Sequence, residues 1–420
     1  MNERIDHLLK TLGPGVLFAS TAIGVSHLVQ STRAGADFGF ALIAFVLLAL
    51  LFKYPFFEYG SRYANVTGTS IIDGYKRLGK NALVLYLVMT IGSMFFVTAA
   101  VGFVTAGFLE NLFHIEFLGI WTVVILFVIC GGILSVGKYR ALDGLIKIIA
   151  SVLVITTVIA FFLALINGPV EKVEGFVPKQ IWNQAGIFFL IALMGWMPTA
   201  VDLSSWNSLW TLERIKQTKF KPKLKETLLE FRLAYLITAV LALLFITLGS
   251  FVFFGSGETL PNNNSLFAHK VVTLYTETIG DWSYIIIASS AFSVMFGTII
   301  AVFDGYSRSL GRTFELLFEK NDSIQKSFYH KKKYILFILI IATGSFIVIF
   351  LFGDKLKELV DFATTISFLI APVIAVFNFK LVTGRYFEKK FQPSRWLKIL
   401  SYLGIIFLTG FAVFFIVTRF

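Results

Sequence analysis

Two apolar segments of this chain are each interrupted at the middle by residues that do not suit a membrane helix. The first covers 13–32 and is broken at Ala22-Ile23-Gly24-Val25-Ser26-His27. The second covers 184–210 and is broken at Gly195-Trp196-Met197-Pro198-Thr199-Ala200. In lipid every backbone N–H and C=O needs a partner, so unwound backbone at membrane depth persists only where it lines a cavity or is buried in protein. Paired interruptions at matching places in two halves point to a solute pathway at the bilayer midplane.

The rest of the chain agrees with a membrane setting. Only 15% of its residues are charged and 57% are apolar, whereas a soluble domain is about 25% charged. Apolar runs of about 20 residues, each enough to cross a hydrocarbon core of about 30 Å, recur throughout. They fall at 13–32, 38–58, 83–109, 117–136, 142–167, 184–210, 228–254, 282–303, 334–352, 356–379 and 397–417. The fold expected is therefore an all-α integral membrane protein with about 11 transmembrane helices. If spans 1–5 and 6–10 are two repeats, the odd number makes the second unit enter the membrane from the opposite side. Broken spans 1 and 6 then meet at the midplane. The units expected are 1–167 and 184–379, with 397–417 as an additional transmembrane helix.

The formal charge of +12 raises nucleic acid as a partner, but its distribution argues against that. Basic residues gather in alternate loops: Arg62, Lys76, Arg77 and Lys80, then Lys138 and Arg140, then Arg214 through Lys225. Arg308, Arg312, Lys320, Lys326 and Lys331 to Lys333 follow, and last Lys380, Arg385, Lys389, Lys390 and Arg395. The loops between carry Glu110, Glu116, Glu258 and Asp281. This alternation follows the positive-inside rule and places the N-terminus in the cytoplasm and the C-terminal end outside a cell (inner or plasma) membrane. The expected partners are the lipid bilayer and a small cargo, with no nucleic acid. Residues 1–10 carry acids and no apolar core, so no signal peptide is expected.

Cys130 is the single cysteine, which excludes a disulfide and a cysteine-built metal centre. The segment 255–281 reads as an external loop carrying a short amphipathic helix. Within it Asn263-Asn264-Ser265 matches a glycosylation sequon.

Several short motifs resemble the Nramp family of divalent-metal transporters. They are Gly13-Pro14-Gly15 and Ala34-Gly35-Ala36-Asp37-Phe38-Gly39 around the first break, Lys53-Tyr54-Pro55 and Val66-Thr67-Gly68 in span 2, and Met197-Pro198 in span 6. The resemblance covers most of the chain in order and spacing. It implies a LeuT-type 5+5 inverted repeat with broken helices 1 and 6, and cation-coupled uptake of the symporter kind. The departures fall on the chemistry. Where the family carries Asp-Pro-Gly-Asn, this chain has Gly24-Val25-Ser26-His27; where it carries Met-Pro-His-Asn, this chain has Met197-Pro198-Thr199-Ala200. The family's two acids in span 3 fall on Ala99 and Gly102, and its second span 6 histidine on Ser204.

The residues left to carry chemistry are few. His27 sits at the first break, where an imidazole serves either as a ligand for a borderline metal or as a partner for a freed carbonyl. Asp202 lies one turn past the second break, either as a helix cap or as an anionic ligand replacing the missing acid. Met197 keeps a soft sulfur that prefers transition metals, although methionine also fills gaps in any core. His27, Met197 and Asp202 are the candidate metal ligands. Gly24, Ser26, Thr199 and, in span 10, Asp361 complete the candidate substrate site. Glu58 with Arg62, and Asp304 with Arg308, have helical ion-pair spacing at the basic ends of their spans, suited to an inner gate or to plain interfacial pairs.

The chain has no nucleophile elbow, P-loop or His-Glu-x-x-His motif, so neither an enzyme nor an ATP-driven pump is expected, and no cofactor. The cargo expected is a divalent metal ion. A small organic solute is the alternative, favoured by the loss of the first-span acid. A non-transporting receptor or channel is a further alternative.

Overall fold

The structure is a computed structural model that describes residues 11–136, 139–318 and 331–419. Expectations for the N-terminal ten residues, and for Lys138, Lys320 and Lys326 in the basic loops, lie outside the described residues.

Almost every described element is helical, and the eleven expected spans are all present. Span 1 is built from Pro14–Ala22, Ser26–Ser31 and Thr32–Phe38. Spans 2 to 5 are Ile43–Thr67, Lys80–Phe113, Ile120–Val136 and Tyr139–Asn167. Span 6 is Gln184–Gly195 and Leu203–Thr218. Spans 7 to 11 are Leu224–Phe253, Tyr284–Phe318, Lys331–Phe352, Leu356–Thr383 and Arg395–Arg419. Seven of the described helices are, by length and composition alone, long and apolar enough to cross a membrane. Spans 1 and 6 fall outside that group because their breaks cut them into short pieces. Exposed apolar side chains such as Leu51, Val88, Val128, Phe162, Leu236 and Ile406 face outward, as lipid contact requires. The chain is an integral membrane protein.

The packing follows a two-fold exchange in which spans 1 to 5 take the roles of spans 6 to 10. Span 1 packs on span 7, and span 6 packs correspondingly on span 2. Span 3 packs on span 10 as span 8 does on span 5, while spans 3 and 8 pack on each other. These are the contacts of an inverted repeat of the LeuT type.

With no hydrophobic drive between helices in lipid, close approach relies on small residues. Spans 1 and 7 cross at Gly35 and Gly249. A Cβ on Gly35 would sit 2.0 Å from the Ile246 carbonyl oxygen, and one on Gly249 would sit 2.3 Å from that of Thr32. Span 6 meets span 10 the same way, since a Cβ on Gly195 would lie 2.0 Å from the Thr364 carbonyl oxygen.

Two features were not read from the sequence. Span 1 runs on to Phe38, which draws Arg33 inside the protein at 6% exposure. A short helix, Ile71–Leu78, follows span 2 behind a capping box in which Ser70 Oγ accepts from the Asp73 N–H and Asp73 accepts from the Ser70 N–H. Its signature, Ser70 and Asp73 enclosing the apolar pair Ile71-Ile72, stands in the sequence. The external helix is longer than expected, Asn264–Ile279, and packs against spans 3, 5 and 8.

Candidate functional site

The two breaks differ in kind. Span 6 unwinds: after Gly195 the chain runs through Trp196, Met197 and the cis Met197–Pro198 peptide before Leu203 restarts the helix. Pro198 has no N–H to offer, so carbonyls of the preceding turn lose their helical partners. Span 1 does not unwind in that way. Ile23 N–H still donates to Ala19, Leu28 N–H donates to Gly24 at 3.1 Å, and Ser26–Ser31 continues as a π-helix. Gly24, Val25 and Ser26 contain no proline, so the backbone shifts hydrogen-bond register, and the Ala22 carbonyl freed at the shift is met by the Ser26 and His27 side chains. Gly24 is also packed, since a Cβ there would fall 2.6 Å from Thr298 Oγ1 of span 8.

His27 is fully buried and turned toward span 7. Its Nε2 lies 2.8 Å from the Thr238 carbonyl oxygen, and its Nδ1 lies 2.8 Å from both the Ala22 carbonyl oxygen and Ser26 Oγ. Ser26 Oγ also donates to the Ala22 carbonyl. In this conformation both ring nitrogens are engaged by the wall, which is the carbonyl-partner arrangement weighed for this residue above. Met197 faces span 1 at another point: its Sδ lies 3.9 Å from Ser31 Oγ. The structure thus brings Met197 to Ser31, one π turn beyond His27.

Asp202 stands at the N-cap position of the second half of span 6 but makes no side-chain capping bond, and its own backbone is already α-helical. A buried carboxylate released from capping is available to a cation. Thr199 is buried, and its carbonyl, not its hydroxyl, is the group already in use.

The user of that carbonyl is Lys53 of span 2. Its side chain is fully buried, and Nζ donates to the carbonyl oxygens of Met194, Gly195 and Thr199 at 3.0, 2.9 and 2.7 Å. An ammonium has three N–H donors and no acceptor, so these three oxygens use all of them. Asp202 lies within electrostatic reach of this charge. Sequence reading treated Lys53 only as part of a motif, although an ionisable residue inside a span is a functional candidate by default.

Asp361 sits above the breaks, on the side away from the basic loops. Arg33 Nη1 and Nη2 donate to its two carboxylate oxygens at 2.7 and 2.9 Å, and Gln30 Nε2 donates at 2.9 Å. Arg33 also donates to Gln30 Oε1, and its guanidinium lies 4.8 Å from the Phe189 ring centre. This buried knot ties span 1 to span 10. It forms the floor of a vestibule of about 510 Å³ that is also lined by Asp37, Lys179, Asn183, Lys357 and Glu358. A larger cavity, about 750 Å³, lies to the side among Glu110, His114, Glu116 and His269. None of the candidate site residues lines it.

On the basic side other ties close the bundle. Glu230 of span 7 accepts from the Gly13 and Gly15 N–H groups at 2.8 and 2.9 Å, seating a carboxylate on the first helix terminus, where the helix dipole favours it. Trp210 Nε1 donates to Asp304 at 3.0 Å, and Arg308 and Tyr334 bind the same carboxylate. Glu58 is held by Arg62 at 2.7 Å. Among the described residues, no three of His, Cys, Asp or Glu gather as a ready metal cage.

Two broken helices crossing at the centre of an inverted repeat, with ion pairs on both sides of the crossing, define a membrane transporter. The chain belongs to the Nramp family, whose profile, natural resistance-associated macrophage protein-like, matches residues 15–418. An uncharacterised protein of Pasteurella multocida is 35% identical over 410 residues, covering 96% of this chain and 91% of its own. The divalent metal cation transporter MntH of Levilactobacillus brevis is 19% identical, covering 96% and 87%. In three dimensions the chain resembles the manganese transporter of Eremococcus coleocola, at 15% identity and a TM-score of 0.71 over 99% of this chain and 87% of that one. MhsT, solved with L-phenylalanine, also shares the fold, with a TM-score of 0.64 at 13% identity over 97% and 98% of the two chains.

Proposed function

We propose that this Nramp-family transporter moves a divalent metal cation by alternating access, holding it at the break of span 6 between Met197 and Asp202. The observation that carries the site is Asp202: a buried carboxylate at a half-helix start with no capping bond to occupy it. Burying a divalent charge needs an anion nearby, and among the candidate metal ligands Asp202 is the one that supplies it. Met197 Sδ beside Ser31 adds a soft donor, which favours manganese-like and zinc-like ions over magnesium. The named activities of the MntH and manganese-transporter relatives support the cargo class. His27 serves here as a wall residue that fixes the π turn against span 7. The two repeats are taken as 1–167 and 184–379, the basic side as cytoplasmic and the vestibule above Asp361 as external.

In this reading the Arg33–Asp361 knot is the outer closure, and the Glu230, Glu58 and Asp304 ties form the inner one. One set parts while the other holds. A second reading, a small organic solute, draws on the absence of any three-residue His, Cys, Asp or Glu cluster among the described residues. Titration calorimetry of the purified protein separates the two. Manganese or zinc should bind in preference to magnesium, and Asp202→Asn should weaken that binding. Binding of an amino acid or amine with no response to any divalent ion would transfer the site to the second reading.

A further inference from the structure

We infer that Lys53 is a built-in cation, standing where a diffusible coupling ion would otherwise sit. In transporters with broken helices, unwound carbonyls and the C-terminal ends of half-helices coordinate the monovalent ion that accompanies the cargo. Here the C-terminal end of the first half of span 6 presents the Met194 and Gly195 carbonyls, and the unwound segment adds Thr199. All three converge on one point, and that point is filled by the Lys53 ammonium.

Three details favour a resident cation over a simple helix cap. The oxygens come from both sides of the proline, so the charge is clasped by the break itself and not only by the last helical turn. A neutral amine has two N–H donors, so it would leave one of the three carbonyls unmet; the count fits an ammonium. Asp202 lies within electrostatic reach but takes no donor from the carbonyls, so its carboxylate stays open to cargo. The lysine stem arrives from span 2, which packs on span 6 along its length, so the cation is tethered and cannot be carried across with the cargo. Sodium and potassium thus have no vacancy at this position in the intact protein.

The inference rests on reading the span 6 break as the transport site. Its first test is run without cargo, so it can fail while that reading stands. Purified Lys53→Ala protein is melted at constant ionic strength in chloride salts of N-methylglucamine, sodium, potassium and a series from methylammonium to butylammonium. The parent should melt at the same temperature in all of them. Lys53→Ala should melt lower in N-methylglucamine and recover, saturably, in sodium or a small alkylammonium ion, while butanol at equal concentration should not restore it. Lys53→Met, which keeps the bulk without the charge, should stay low in every salt.

If Lys53→Met matches the parent, or Lys53→Ala shows no cation-specific recovery, Lys53 is only a packing element and the inference falls. A second measurement decides the matter should neither variant fold. Parent protein in proteoliposomes should keep its manganese uptake when sodium and potassium are replaced on both sides by N-methylglucamine. A strict sodium or potassium requirement in the parent would overturn the built-in cation.

Discussion

Arg33 and Asp361 meet through two parallel hydrogen bonds, 2.7 and 2.9 Å long, with both side chains almost fully buried. They lie 328 residues apart in sequence and belong to opposite repeats, so the contact reports directly on how the two halves close. Removing one partner of a buried pair strands the other, at a cost of about 3–5 kcal/mol. Arg33→Ala should therefore lower thermal stability sharply, and Asp361→Asn should do so to a comparable extent. The double variant Arg33→Met, Asp361→Leu should recover much of the loss. A cysteine placed at Gln30 should react faster with a membrane-impermeant thiol reagent in the double variant than in the Gln30→Cys parent. Equal reaction rates would mean that the pair is not the outer closure.

Asp202 separates cargo binding from folding. Its carboxylate makes no capping bond and takes none of the three Lys53 hydrogen bonds, so Asp202→Asn should cost less stability than Arg33→Ala. It should also weaken manganese or zinc binding by more than about tenfold, roughly 1.4 kcal/mol. Met197→Ala should weaken it less. Unchanged affinity in Asp202→Asn, measured by calorimetry, would remove this residue from the site.

The opposite split is expected at His27. Its Nε2 faces the Thr238 carbonyl, while Ser26 Oγ already donates to that of Ala22, and leaving a buried acceptor unmet costs about 1–3 kcal/mol. His27→Ala should therefore lose stability while keeping its metal affinity. A stable variant that no longer binds metal would make His27 a ligand after all, reached in another conformation.

How much of this was legible in the sequence depends on what kind of signal each residue left. The spans and both interruptions were readable because hydropathy and helix-breaking residues act locally. The difference between the interruptions was not. Pro198 forces a break, whereas Gly24, Val25 and Ser26 allow either an unwound segment or a π turn, and packing against Thr298 of span 8 accompanies the second. Lys53 was conspicuous as a lone charge in an apolar run, yet its partners are backbone oxygens more than 140 positions away. Main-chain acceptors carry no residue identity, so composition and spacing could not point to them. Arg33 was hidden for a simpler reason: the expected span ends at Thr32, six residues short of Phe38, where the helix stops.

Proton movement should be small. The positions where the family resemblance expects span 3 acids are Ala99, fully buried, and Gly102, where even a Cβ would meet the Phe127 ring at 2.5 Å. In proteoliposomes carrying a pH-sensitive dye, cargo uptake should acidify the lumen far less than one proton per ion. Stoichiometric acidification would contradict this and require another carrier group.

The crossing of spans 1 and 7 should tolerate almost no added bulk. A methyl group on Gly35 would overlap the Ile246 carbonyl oxygen at 2.0 Å, and overpacking of this kind costs about 1–3 kcal/mol. Gly35→Ala and Gly249→Ala should each lower the melting temperature. Gly92, with open space around it, provides the control, since Gly92→Ala should not. Equal stability in all three would show that the helices separate readily.

The π turn at Ser26–Ser31 also makes the Arg33–Asp361 contact depend on helix register. Counted by residues, such a turn is an α-helix carrying one extra member. Tightening the turn to a plain α-helix with every residue kept would turn everything beyond it by about 100°, the angle of one α-helical step. Arg33 would then swing out of line with Asp361 although neither residue had changed. The contact is a matter of register, and a switch between the wide and the tight turn would make or undo it with every charged group still in place.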